Sequence, residues 1–75
     1  MDKLKIKYNY LLARIRKGEL YVSTTDFIRS EPKEQNKVLM FLEKLNKELE
    51  EVKQLIEIKY NHEMSKLEIE DGFKD

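Results

Sequence analysis

Cysteine and tryptophan are absent from this 75-residue chain, glycine occurs twice, and proline and histidine once each. Without cysteine there is neither a disulfide framework nor a thiolate metal site, and below roughly 80 residues a single core rarely holds a chain together without help. Help must therefore come from unusually complete helix packing or from association. His62 is the sole histidine. The segment NHEMSK opens like the HExxH of zinc proteases, but Lys66 stands where the second histidine would be, so the metal reading fails. Gly18 and Gly72 cannot make a phosphate-cradling loop. Ser23, Thr24 and Asp26 lack a partner base for nucleophilic catalysis. An enzyme is not expected, nor a cofactor, a metal or a small-molecule substrate. No apolar run approaches the roughly 20 residues that cross a bilayer, and Met1 opens no signal-peptide pattern, so the default expectation is a cytoplasmic protein with no membrane partner.

Charge, by contrast, is plentiful and balanced, with 15 basic and 15 acidic residues making up 40% of the chain. The balance is uneven in position. Residues 1–17 hold six Lys or Arg against Asp2 alone, while residues 38–75 hold ten acids against six lysines. A neutral total gives no general support to a nucleic-acid binder, so any such function would rest on the first 17 residues.

Two breaks organise the pattern. Leu4, Tyr8, Leu11, Leu12 and Ile15 share a stripe at helical spacing, with Ile6, Tyr10 and Ala13 left on another side, and Arg16-Lys17-Gly18 resembles a helix C-terminus. A basic helix over 2–17 follows. Strand alternation fits residues 3–10 but fails at Leu11-Leu12-Ala13. The connector, 18–31, is expected to hold a short extended piece at Leu20 to Val22 and a single helical turn through Phe27 and Ile28, capped by Ser23 or Thr24. From Pro32 to Asp71 there is no further glycine or proline, and Lys, Glu, Leu and Gln dominate, which predicts one long helix over about 32–70, fraying from Leu67 into an acidic tail at 72–75. The expected fold is all-α: a hairpin of a short basic helix and a long helix.

Val38, Leu42, Leu45, Leu49, Val52 and Ile56 recur at heptad spacing, flanked by Leu39, Phe41 and Leu55, and a four-residue stutter carries the stripe on through Tyr60, Met64 and Leu67. A helix of about 60 Å carries more apolar stripe than a first helix of about 24 Å can cover. Self-association as a coiled-coil-like or four-helix-bundle homodimer, antiparallel along the long helices, is the simplest remedy. Its expected interface is Val38, Phe41, Leu42, Leu45, Leu49, Val52, Leu55, Ile56 and Tyr60.

The expected function is accordingly a non-enzymatic protein–protein interaction module, an adaptor, scaffold or inhibitor of another protein. The alternative is a nucleic-acid-associated regulator that contacts phosphates through Lys3, Lys7, Arg14 and Lys17, with Tyr10 stacking on a base. Against that alternative, those cations are most simply complementary to Glu43, Glu48, Glu50, Glu51 and Glu57 of the same chain. A helix-turn-helix is excluded, because the helix that would read a major groove is acidic and too long.

Overall fold

The computed structural model describes residues 2–74 and places four helices along the chain: α1 (Lys3–Val22), α2 (Thr25–Ile28), α3 (Pro32–Tyr60) and α4 (Lys66–Asp71). The fold is all-helical, with α1 packed antiparallel on the long α3 in a body of 45 × 19 × 19 Å. The core is the apolar stripe read from the sequence. Tyr8, Leu11 and Ile15 of α1 meet Leu45, Val52 and Ile56 of α3, with Leu4, Leu12 and Leu49 at the margins.

α1 begins at Asp2, whose carboxylate accepts from the Leu4 backbone N–H at 2.9 Å. It does not stop at Gly18, and no extended piece forms at Leu20 to Val22. A helix runs through a glycine at a cost of about 1 kcal/mol relative to alanine, and here the missing side chain has a use: a Cβ at position 18 would lie 2.3 Å from a Leu42 methyl. Gly18 is thus a point of close approach between α1 and α3, and the helix ends a turn later at Ser23. The connecting turn α2 matches the sequence reading. Thr24 caps it by accepting from the Phe27 N–H, and Phe27 is buried with its ring edge-on to Tyr21.

α3 starts at Pro32 but ends at Tyr60, ten residues before the end expected from composition. Asn61 takes a left-handed conformation (φ 47°), its N–H donates to the Ile58 carbonyl, and the His62 N–H donates to the Glu57 carbonyl. These two bonds form a Schellman closure, with asparagine in the position glycine usually fills. The Glu57 carboxylate then accepts from the Met64 N–H at 3.0 Å, fixing the reversal, and Ser65 and Glu68 form a reciprocal capping box that starts α4. The expected stutter through Tyr60, Met64 and Leu67 on a continuous helix is therefore replaced by a turn. Met64 still reaches the core, whereas Leu67 faces solvent.

Residues 72–74 are not a frayed tail; Asp75, the last residue of that expected segment, lies outside the described residues. Gly72 has φ +79°, a conformation open chiefly to glycine, and a Cβ there would meet the Asn9 side chain. The turn lays Phe73 edge-on to the Tyr8 ring at a centroid distance of 5.7 Å. Asn9 clasps the Phe73 backbone from both sides, donating to its carbonyl at 2.7 Å and accepting from its N–H at 2.6 Å. Tyr8 donates its hydroxyl to the Ile69 carbonyl at 2.8 Å, and Arg16 donates to the Glu70 carbonyl. Residues 64–74 therefore lie along one flank of the α1–α3 hairpin.

Candidate interaction surface

The hairpin has a second flank, and helical spacing identifies what lies on it. On α1, Lys3, Lys7, Tyr10, Arg14, Lys17 and Tyr21 recur at steps of 4, 3, 4, 3, 4; on α3, Lys37, Phe41, Lys44, Glu48, Glu51 and Leu55 do the same. The two stripes face each other. Lys7 reaches Glu48 at 3.5 Å, and the Arg14 guanidinium sits 5.2 Å from the Phe41 ring centre and 5.5 Å from that of Tyr10. Between them is an open depression of about 530 Å³, lined by Leu55, Lys7 and, at its floor, the buried Val52. Tyr10, Phe41 and Leu55 stay 59%, 47% and 52% exposed, and Ile6 on the border 53%.

The interface residues expected from the sequence divide between two environments. Leu42, Leu45, Val52 and Ile56 are buried within the chain, with Val38 and Leu49 half-buried beside them. A seam that was expected to meet a second copy is thus covered by α1, because α1 is 20 residues long and α3 only 29, about 30 Å against about 44 Å. Only Phe41 and Leu55 open onto the free flank. Tyr60 lies at the far end of α3, where its hydroxyl donates to Asp2 and its ring lies 4.5 Å from the Lys5 ammonium.

Lys3, Lys7, Arg14 and Lys17 all fall on this flank, as the first-helix pattern indicated. The expected pairing of these cations with the acids of the long helix is realised in one place only. Lys7–Glu48 is the single ion pair joining α1 to α3 within the flank among the described residues, and both partners are well exposed, so it stabilises the hairpin little. Glu50 and Glu57 pair instead with Lys53 on their own helix. On the opposite flank Lys5 lies over the Tyr60 and Phe73 rings, and Arg16 reaches Asp71. Lys37 and Lys44 escaped the sequence reading, although the second 4-3-4 stripe on α3 was there to be found.

Where the two helix ends meet, Asp2 accepts from the Lys59 ammonium at 2.5 Å and from Tyr60. The Lys59 ammonium, then the Tyr60 hydroxyl, then the Leu4 N–H hold the Asp2 carboxyl well below the usual carboxylate range. Asp2 in turn pushes Lys59 and Tyr60 up. A depressed carboxyl stabilises the fold above its unfolded value and loses that contribution as pH falls through the folded one. Asp2→Asn, which keeps the helix cap, is therefore expected to lower Tm at neutral pH by a few degrees, with the gap to wild type closing below about pH 4. A gap that stayed constant on acidification would contradict the role of the charged clip.

Among the described residues no three His, Asp or Glu side chains converge in a way that would hold a metal ion, and no helix is long and apolar enough to cross a membrane. No known protein family, curated protein or solved structure matches the chain.

Proposed function

We propose that the chain is a non-enzymatic protein–protein interaction module, an adaptor, scaffold or inhibitor that docks another protein on the flank formed by the facing stripes of α1 and α3. The observation that carries this reading is an asymmetry. One side of the hairpin is closed by the chain's own C-terminal segment, while the other leaves Tyr10, Phe41 and Leu55 open between rows of charge. Apolar side chains gathered on a charged surface mark interaction sites, and aromatic residues with arginine are the usual anchors of such sites.

The homodimer expected from the sequence drew its force from a bare heptad seam, and α1 covers most of that seam, so a second copy becomes one competitor for the free flank. Nucleic acid is the other. Glu48 and Glu51 lie in the half of the flank around Leu55, where they would repel phosphates, and Phe41 and Leu55 have no use against a sugar–phosphate backbone.

A photo-crosslinking amino acid placed at position 55, in the cell that makes the protein, should give a protein adduct, while the same probe at Gln54, on the outer side of α3, should give none. Equal adducts at both positions, or adducts to nucleic acid only, would contradict the proposal.

A further inference from the structure

Charge is distributed along the free flank in a way that specifies its occupant, given the protein-docking reading above. The half near the α1–α2 turn carries Arg14 and Lys17 from α1 and Lys37 and Lys44 from α3, with no acid in either stripe there. None of these four makes an ion pair with a described residue. Phe41 lies among them. The other half is near neutral, with Lys3 and Lys7 set against Glu48 and Glu51 around Leu55.

We infer that this flank binds an acidic amphipathic helix from a partner protein, seated lengthwise between α1 and α3 as the third helix of a bundle. Phe41 and Leu55 are 14 residues apart on one helix, or about 21 Å. That separation suits a partner stripe of about four turns with apolar residues at i, i+4, i+7, i+11 and i+14. The partner's glutamates and aspartates concentrate at the end that meets Arg14, Lys17, Lys37 and Lys44, where long side chains rimming an apolar strip accept them without burying a charge. A second copy of this chain is disfavoured on the same ground. Each flank brings six cations and two carboxylates, so two of them face to face would set like charges against each other.

The test uses the intact chain and two fluorescein-labelled helical peptides of about 18 residues with an identical leucine stripe, one carrying glutamate and the other lysine at the polar positions. Anisotropy titration should detect the acidic peptide and not the basic one, with binding weakened by added salt. The triple variant Arg14→Glu, Lys17→Glu, Lys44→Glu should lose on the order of tenfold or more in affinity for the acidic peptide and gain the basic one. Phe41→Ala with Leu55→Ala should weaken the acidic peptide without reversing the preference. All five side chains are exposed, so an unchanged far-UV circular dichroism spectrum controls for folding. Equal binding of both peptides, or no effect of the charge reversal, overturns the inference. So does a concentration-dependent dimer in sedimentation that Leu55→Glu dissociates, which would make the occupant a second copy. Absence of peptide binding together with a protein adduct at position 55 sinks the acidic-helix inference alone; absence of both sinks the docking reading as well.

Discussion

Leu45→Asp is expected to abolish the folded state, giving a far-UV circular dichroism spectrum with most helical signal lost at 25 °C and no cooperative melt. Leu45 is 4% exposed, packed with Leu11, Ile15 and Val52 in the only contiguous core formed by the described residues. Truncating a buried leucine to alanine alone costs about 2–5 kcal/mol. A carboxylate in its place adds the penalty of an unpaired buried charge, or of protonating it. A chain of 75 residues has on the order of 4–11 kcal/mol of stability in total, so the substitution exceeds or consumes what is available. The neighbouring Leu49→Asp separates two accounts of the seam. If the heptad were a dimer interface, Leu49→Asp would dissociate an oligomer. Because Leu49 is half-buried at the margin of an intrachain core, the variant should instead lower Tm with no change in sedimentation coefficient. A wild-type melt in Leu45→Asp would mean that α1 does not pack on α3 as described.

Removing residues 62–75 should be nearly as damaging, although composition marks them as a continuing or fraying helix end. The deletion takes Met64 out of the core, at about 1.5–3 kcal/mol for one buried methionine. It also strips the Phe73 ring from Tyr8 and the carbonyl that accepts the Tyr8 hydroxyl. Tyr8, now 1% exposed, would be uncovered. Its hydroxyl is pushed above its ordinary pKa by that burial first and by Glu50 second, so a spectrophotometric titration should see it return toward the ordinary value in the truncated chain. The sum of about 3–6 kcal/mol corresponds to a fall in Tm on the order of 15–40 °C, or to loss of a cooperative transition. A change of only a few degrees would mean that the C-terminal segment is not part of the fold.

The two results bear differently on what the residues disclose. The apolar stripe was legible at once, since Tyr8, Leu11, Ile15, Leu45, Val52 and Ile56 repeat at helical spacing, but its α3 half read as a dimer seam, whereas α1 covers it within the chain. The end of α3 was not. Every residue from Pro32 to Asp71 is helix-tolerant, and propensity differences of a few tenths of a kcal/mol cannot stop a helix by themselves. Two local signals were nonetheless present: the Ser65-Lys66-Leu67-Glu68 capping box, and Asn61 four residues before it. They are weak because serine and glutamate are common on helix surfaces, and asparagine closes a helix only when the following chain has somewhere to go. The destination here is the clasp on Asn9 and Tyr8, some 60 residues earlier in the chain. Gly18 misled in the opposite sense. It resembled a stop because arginine and lysine precede it, yet it serves as a point of close approach whose reason, Leu42, lies on another helix.

The sequence by itself determined that the chain is helical, that α1 and α3 each carry an apolar stripe, and that four of the six cations of the first helix gather on one side. Those properties depend on residues three and four apart, which local geometry fixes. Tertiary structure alone decided which apolar residues remain in water. The reversal at Asn61 sends the C-terminal segment to one flank of the hairpin and leaves Tyr10, Phe41 and Leu55 uncovered on the other. Exposure is a property of what packs against a residue, and here the covering residues are distant along the chain, where no local pattern can report them.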